Sequence, residues 1–172
     1  MAGFNSKRRL STPQGFTLVE LLIVVIILAI LAGIVLPQFT DSSADAKLSA
    51  TDTTLGNMRA MMDLYFQQHG EYPSANGDGV NAADTGAAFL TQLTQYTNSA
   101  GRVSTSKDPN HRFGPYQRKA AIPTEPMTSS SAIKIETAGT LGLAAEGTDP
   151  GGWRFDNVTG QFIVNHATWD SR

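Results

Sequence analysis

Glu20 is the residue whose type and position most clearly call for chemistry. It follows Leu18 and Val19, and the sixteen residues after it, Leu21 to Leu36, include no polar or charged side chain. A carboxylate inside a membrane helix costs about 2.5–3.5 kcal/mol, so by default it is functional and has a partner. It lies near the end of the run, where snorkelling relieves part of that cost, and a tolerated interfacial charge is the alternative. Other chemistry is scarce. His69, His111 and His166 share no metal-ligand spacing, and there is no cysteine. No serine lies in GxSxG, and the glycines of 139–152 do not join a strand to a helix as phosphate or dinucleotide loops do. No sequence motif here calls for an enzyme, and none is expected, although triads can be assembled from distant residues.

The element that must position Glu20 is set by length. Phe16 to Leu36 is 21 residues, about 31 Å of helix. A bilayer core is about 30 Å thick, so a single membrane span is expected. Lys7, Arg8 and Arg9 precede the span and no comparable cluster follows it, which keeps the head cytoplasmic and exports the remainder. An ordinary signal peptide with cleavage at Ala44-Asp45-Ala46 would need an apolar region longer than the usual 7–15 residues or so.

Gly15-Phe16-Thr17-Leu18-Val19-Glu20 closely resembles the processing signal of type IV prepilins and type II secretion pseudopilins. The resemblance implies that a prepilin peptidase cuts between Gly15 and Phe16 and methylates Phe16. It also implies that Glu20 pairs with the N-terminal amine of a neighbouring subunit. Buried carboxylate and buried ammonium relieve each other's desolvation. Pro37 matches the family's proline after the first helical stretch. Gly33 and Pro37 are weak points of the helix, a kink on physical grounds.

Residues 1–15 are then a leader, 16–37 a transmembrane and filament-core helix, and 38–172 an exported domain. Within that domain we expect an amphipathic helix at 38–69, a variable loop and short helix at 70–121, and a β region at 122–166. The fold class is α+β: a long N-terminal helix packed on a small C-terminal antiparallel sheet, the pilin fold. Leader removal would leave ten Lys and Arg against fifteen Asp and Glu, a formal charge of −5. A mildly acidic exported domain gives no support for nucleic-acid binding. Lacking cysteine, it must hold by packing or a bound ion.

Leu48, Leu55, Met58, Met62 and Tyr65 trace one helical face, broadened by Met61, Leu64 and Phe66. Gly70 ends the helix. Gly70-Glu71-Tyr72-Pro73 resembles the GxYP segment of pseudopilins. Residues 74–86 read as a solvated loop, since Val80 and Asn81 fall where an EF-hand needs a ligand and a glycine. Ala87 to Thr97 reads as a short helix, 98–118 as irregular and 122–126 as an extended connector. Asp108-Pro109 and Gly114-Pro115-Tyr116 partly match the segment leading into the pseudopilin sheet. Ala132 to Thr137 alternates as a strand, and Gly152–Asp156 with Gly160–Asn165 reads as a hairpin that resembles the pseudopilin C-terminus. Major pseudopilins bind calcium there. By that resemblance Asp149 and Asp156 are candidate ligands, although aspartate equally serves turns.

The implied function is a subunit of a type II secretion pseudopilus or related type IV filament. Its implied partners are copies of itself, the prepilin peptidase, an assembly ATPase, a platform membrane protein and inner-membrane lipid. The implied location is the bacterial inner membrane, then a periplasmic or extracellular filament. A type IV pilus pilin for adhesion, motility or DNA uptake is the alternative, and a membrane-anchored, non-polymerising binding module the alternative of another class.

Overall fold

The computed structural model describes residues 15–139, 141–147 and 151–171. The chain divides into two compact units, Met1–Ser43 and Ala44–Arg172. One helix, α1 (Leu18–His69, 52 residues), contributes to both.

In the first unit the described side chains from Leu21 to Ile34 are Leu, Ile, Val, Ala and Gly, and the large ones are 50–66 % exposed. An apolar surface of that extent on every side of a helix belongs in lipid or against other helices. Among the described residues no helix is long and apolar enough to cross a membrane. The described side chains of the apolar run end at Ile34, and the sequence run continues to Leu36.

The second unit is built around the C-terminal half of α1. Thr51, Leu55, Met58, Met62 and Tyr65 are buried at steps of four, three, four and three, one helical face. The face expected from sequence is therefore present, with Thr51 completing the register and Leu48 only half-buried. Met61 packs against the core, but Leu64 and Phe66 are exposed and do not widen it. Gly70 closes α1 at a φ of 78°.

Phe89 and Leu93 of α2 (Gly86–Thr94) cover that face, together with Trp153, Phe155, Phe162 and Val164 of the sheet. Thr85 caps α2 by accepting the Ala88 N–H. The helix stops three residues before the sequence suggests. Gln95 turns extended, and Tyr96–Thr97 (β1) pair with Val103–Ser104 (β2). The stretch expected to be irregular thus holds a strand, and Phe113 bridges to Thr97.

The main sheet has the order β3-β4-β5, from Ile133–Glu136, Trp153–Asp156 and Phe162–Val164. The β4–β5 hairpin is antiparallel as expected, while β3 and β4 run parallel. A parallel pair needs a long crossover, and residues 137–152 supply it. The fold is the expected α+β arrangement, with a mixed sheet.

Candidate functional site

Glu20 sits one turn into α1, and its carboxylate faces back toward the helix start. Its Oε2 accepts the Thr17 N–H at 2.8 Å and the Thr17 hydroxyl at 2.7 Å, and the Glu20 N–H donates to Thr17 Oγ1 at 3.2 Å. This is a capping box, threonine at the cap and glutamate three residues on, which satisfies N–H groups that the first turn leaves without carbonyl partners. Its T-x-x-E spacing was readable in the sequence. Thr17 is thus a positioning residue that the sequence reading passed over.

Gly15 and Phe16 directly precede the cap, and Phe16 is exposed. A Cβ at Gly15 would meet nothing, and its φ is not one that favours glycine. Among the described residues, nothing packs where a Gly15 side chain would lie. A Cβ at Gly33 would also meet open space, and α1 is helical through both Gly33 and Pro37. The Pro37 side chain and residues 1–14 lie outside the described residues.

The second unit has its own polar anchors. Glu125, Asp156 and Asp78 are at most 1 % exposed. Glu125 accepts the Thr51 hydroxyl at 2.9 Å, the Met127 and Thr128 N–H groups at 2.9 and 2.5 Å, and the Thr128 hydroxyl at 2.7 Å. Burial pushes its carboxyl up, but these donors outweigh burial and hold it below the usual range. The segment read as a plain connector is therefore tied to α1. Asp78 is similar: burial raises it, while donation from Thr91, Asn81 and Val80 brings it below the usual range. The 74–86 loop is folded around that carboxylate instead of being merely solvated.

His69 stacks on Tyr65 at 3.9 Å between ring centroids and contacts the Tyr65 carbonyl and Thr97 Oγ1, each at 3.0 Å. Burial lowers its pKa, against smaller raising contributions from backbone hydrogen bonds at Tyr65 and Asn98.

Of the two candidate calcium ligands, Asp149 lies outside the described residues. Asp156 Oδ1 accepts the Val158 and Thr159 N–H groups at 2.8 and 3.0 Å, and Oδ2 accepts the Gly139 N–H at 3.0 Å. A carboxylate facing three amides anchors the hairpin turn and the crossover. Calcium takes six to eight oxygens, and among the described residues both Asp156 oxygens accept backbone N–H groups. Among the described residues no group of three or more His, Cys, Asp or Glu is gathered to hold a metal.

The two motifs that resemble pseudopilins meet in space. Tyr72 lies over the hairpin turn so closely that a Cβ on Gly160, whose φ is 77°, would come within 2.2 Å of its ring. Tyr72 also stacks on Phe66.

Residues 11–36 match the family model described as the prokaryotic N-terminal methylation motif. The chain is 38 % identical over 72 residues to a fimbrial protein of Neisseria meningitidis, covering 42 % of each. It is 34 % identical over 83 residues to type IV major pilin protein PilE1 of Neisseria gonorrhoeae, covering 47 % of this chain and 39 % of that one. It is 38 % identical over 61 residues to type II secretion system core protein G of Pseudomonas aeruginosa, covering 36 % and 43 %. The matched region thus spans about two fifths of these relatives' length. No solved structure matches. With the methylation motif over the start of α1, pilins and a type II secretion protein among its relatives, and a long helix packed on a small sheet, the chain is similar to members of the type IV pilin superfamily in its N-terminal region and in its α+β arrangement.

Proposed function

We propose that this chain is the structural subunit of a membrane-assembled filament, freed by prepilin peptidase cleavage between Gly15 and Phe16 and methylation of Phe16. The observation that carries the reading is Glu20: one carboxylate, in the otherwise apolar first half of α1, turned toward the helix start. Cleavage before Phe16 would create an ammonium close to that start. Within the uncut chain the acid has Thr17 as its partner. In an assembled bundle it would pair with the Phe16 amine of the next copy, each charge offsetting the other's desolvation. Gly15 suits this role, because no described residue packs against it and a small residue at the cut fits selection by the peptidase that handles it.

The apolar half of α1 would anchor the subunit in the inner membrane before assembly, head exported, and pack against other anchors afterwards. Gly33 and Pro37 would let that half bend or loosen on assembly. An assembly ATPase and a platform protein would supply the energy. The experiment is Glu20→Ala in the native strain, with filaments sheared and counted. The reading expects at least a tenfold loss with the subunit still present in the membrane, and undiminished filaments of unchanged subunit spacing would contradict it.

Within the superfamily, the Tyr72 segment and the β4–β5 hairpin, both pseudopilin-like, favour a type II secretion pseudopilus. The matches to Neisseria fimbrial and pilin proteins favour a surface pilus. A deletion strain separates the two, since loss of protein secretion supports the first and loss of surface fibres the second.

A further inference from the structure

Beside the core, α1 and the segment after β2 leave a groove of about 270 Å³. Met61 and Pro123 form its accessible apolar part above the buried Met58, and Thr54, Asn57, Gln117, Arg118 and Lys119 supply its polar lining. Both cations are exposed, and neither has an ion-pair partner among the described residues. They belong to a basic stretch: residues 102–119 hold five Lys and Arg and one acid, in a chain whose overall balance is acidic.

The complementary surface lies on α1 itself. Asp45, Leu48 and Asp52 are spaced three and four apart, so they share one helical face. Asp45 is exposed and Leu48 half-exposed. Lys47, two residues from Asp45, points elsewhere. That face offers an apolar side chain flanked by acids about 10 Å apart along the helix. The groove offers apolar atoms beside two long basic side chains. Ala44, Ala46 and Ser49 around the acidic face are small, which permits close approach.

We propose that the groove docks a second copy of this chain, which presents the Asp45–Leu48–Asp52 face of its α1 to Met61, Pro123, Arg118 and Lys119. This rests on the filament reading and adds a contact between exported heads to the contact between anchors. Exposed charge pairs contribute little each, so their work here is selection of register more than affinity.

The absence of native cysteine makes the test clean. Two full-length copies are co-expressed in the native strain, one carrying Leu48→Cys and the other Asn57→Cys, a substitution on the groove's rim. Oxidised membranes should give a disulfide-linked dimer of the two copies, at least tenfold above a pair in which Ser106→Cys replaces Asn57→Cys. Adding Arg118→Glu and Lys119→Glu to the groove copy should cut the dimer several-fold, and Asp45→Lys in the other copy should restore it. A dimer no more abundant than the control overturns the proposal. So does a dimer indifferent to charge reversal, or cross-linking only to some other protein. Electron microscopy of the unsubstituted strain separates this from the reading beneath it. Filaments without the cross-link leave the subunit assignment standing and remove the docking face. A charge-dependent cross-link without filaments keeps the docking face and removes the filament.

Discussion

Glu125 and Thr51 show how much one buried acid can organise. The carboxylate receives four donors from two parts of the chain, and Thr51 supplies the one that comes from α1. Thr51→Val keeps the shape and removes that donor, so urea unfolding of the Ala44–Arg172 unit should show a loss of about 1–3 kcal/mol. The pH dependence follows from the same bonds. Glu125 and Asp78 have folded-state pKa values below their unfolded ones. Their contribution is present above the ordinary carboxylate value of about 4 and disappears as pH falls through the lower folded values. The urea midpoint should therefore drop between pH 5 and pH 3, and by less in Glu125→Gln. His69 works at a higher pH. Its depressed folded pKa means that the unfolded chain takes up the proton first, so stability should fall as pH drops below about 6.5, and His69→Phe should flatten that part of the curve.

At the scale of elements, the hairpin and the segment after α1 are held by direct contact. Gly160→Ala puts a methyl group into the Tyr72 ring at a φ that alanine avoids. The cost should exceed about 1 kcal/mol, and Tyr72→Ala in the same chain should relieve part of it. A double-mutant cycle by thermal unfolding checks this, and full additivity would contradict the contact. Trp153 is fully buried and donates its indole N–H to the Pro123 carbonyl at 2.7 Å, so Trp153→Ala should cost about 3–5 kcal/mol. Elements with a long period were legible in the sequence. The 3.6-residue stripe gave Leu55, Met58, Met62 and Tyr65, and the two short runs around Asn157–Gly160 gave the hairpin. The parallel β3–β4 pairing left no local trace, because nothing in Ile133–Glu136 says which neighbour it will take. Thr51 was hidden because a threonine at a core position reads as polar until its acceptor, 74 residues away, is known. The end of α2 was misjudged because Tyr96 and Thr97 suit a helix face and a strand equally, and pairing with β2 decided between them.

For the whole molecule, the division of labour is between an apolar rod and a small folded head. The rod's side chains are exposed in the isolated chain, so the subunit should stay with the membrane fraction until detergent releases it. The head's buried apolar cluster comes, among the described residues, from α1, α2 and the three-stranded sheet, with Tyr72, Tyr116, Ile122 and Trp169 packed against it, and without disulfides it depends on that packing and on Glu125, Asp156 and Asp78. Glu20 stands out in the sequence because a lone acid in an apolar run needs no fold to be noticed, and the T-x-x-E spacing that ties it to Thr17 is legible there too once the helix is taken to start at Leu18. Everything assigned to the rod turns on where the working chain begins. Intact-mass and N-terminal analysis of the protein purified from its own membrane reads that directly. The account predicts a chain starting at N-methylated Phe16. A chain that still carries residues 1–15, or one that starts at Lys47 after signal-peptidase cleavage, would contradict it.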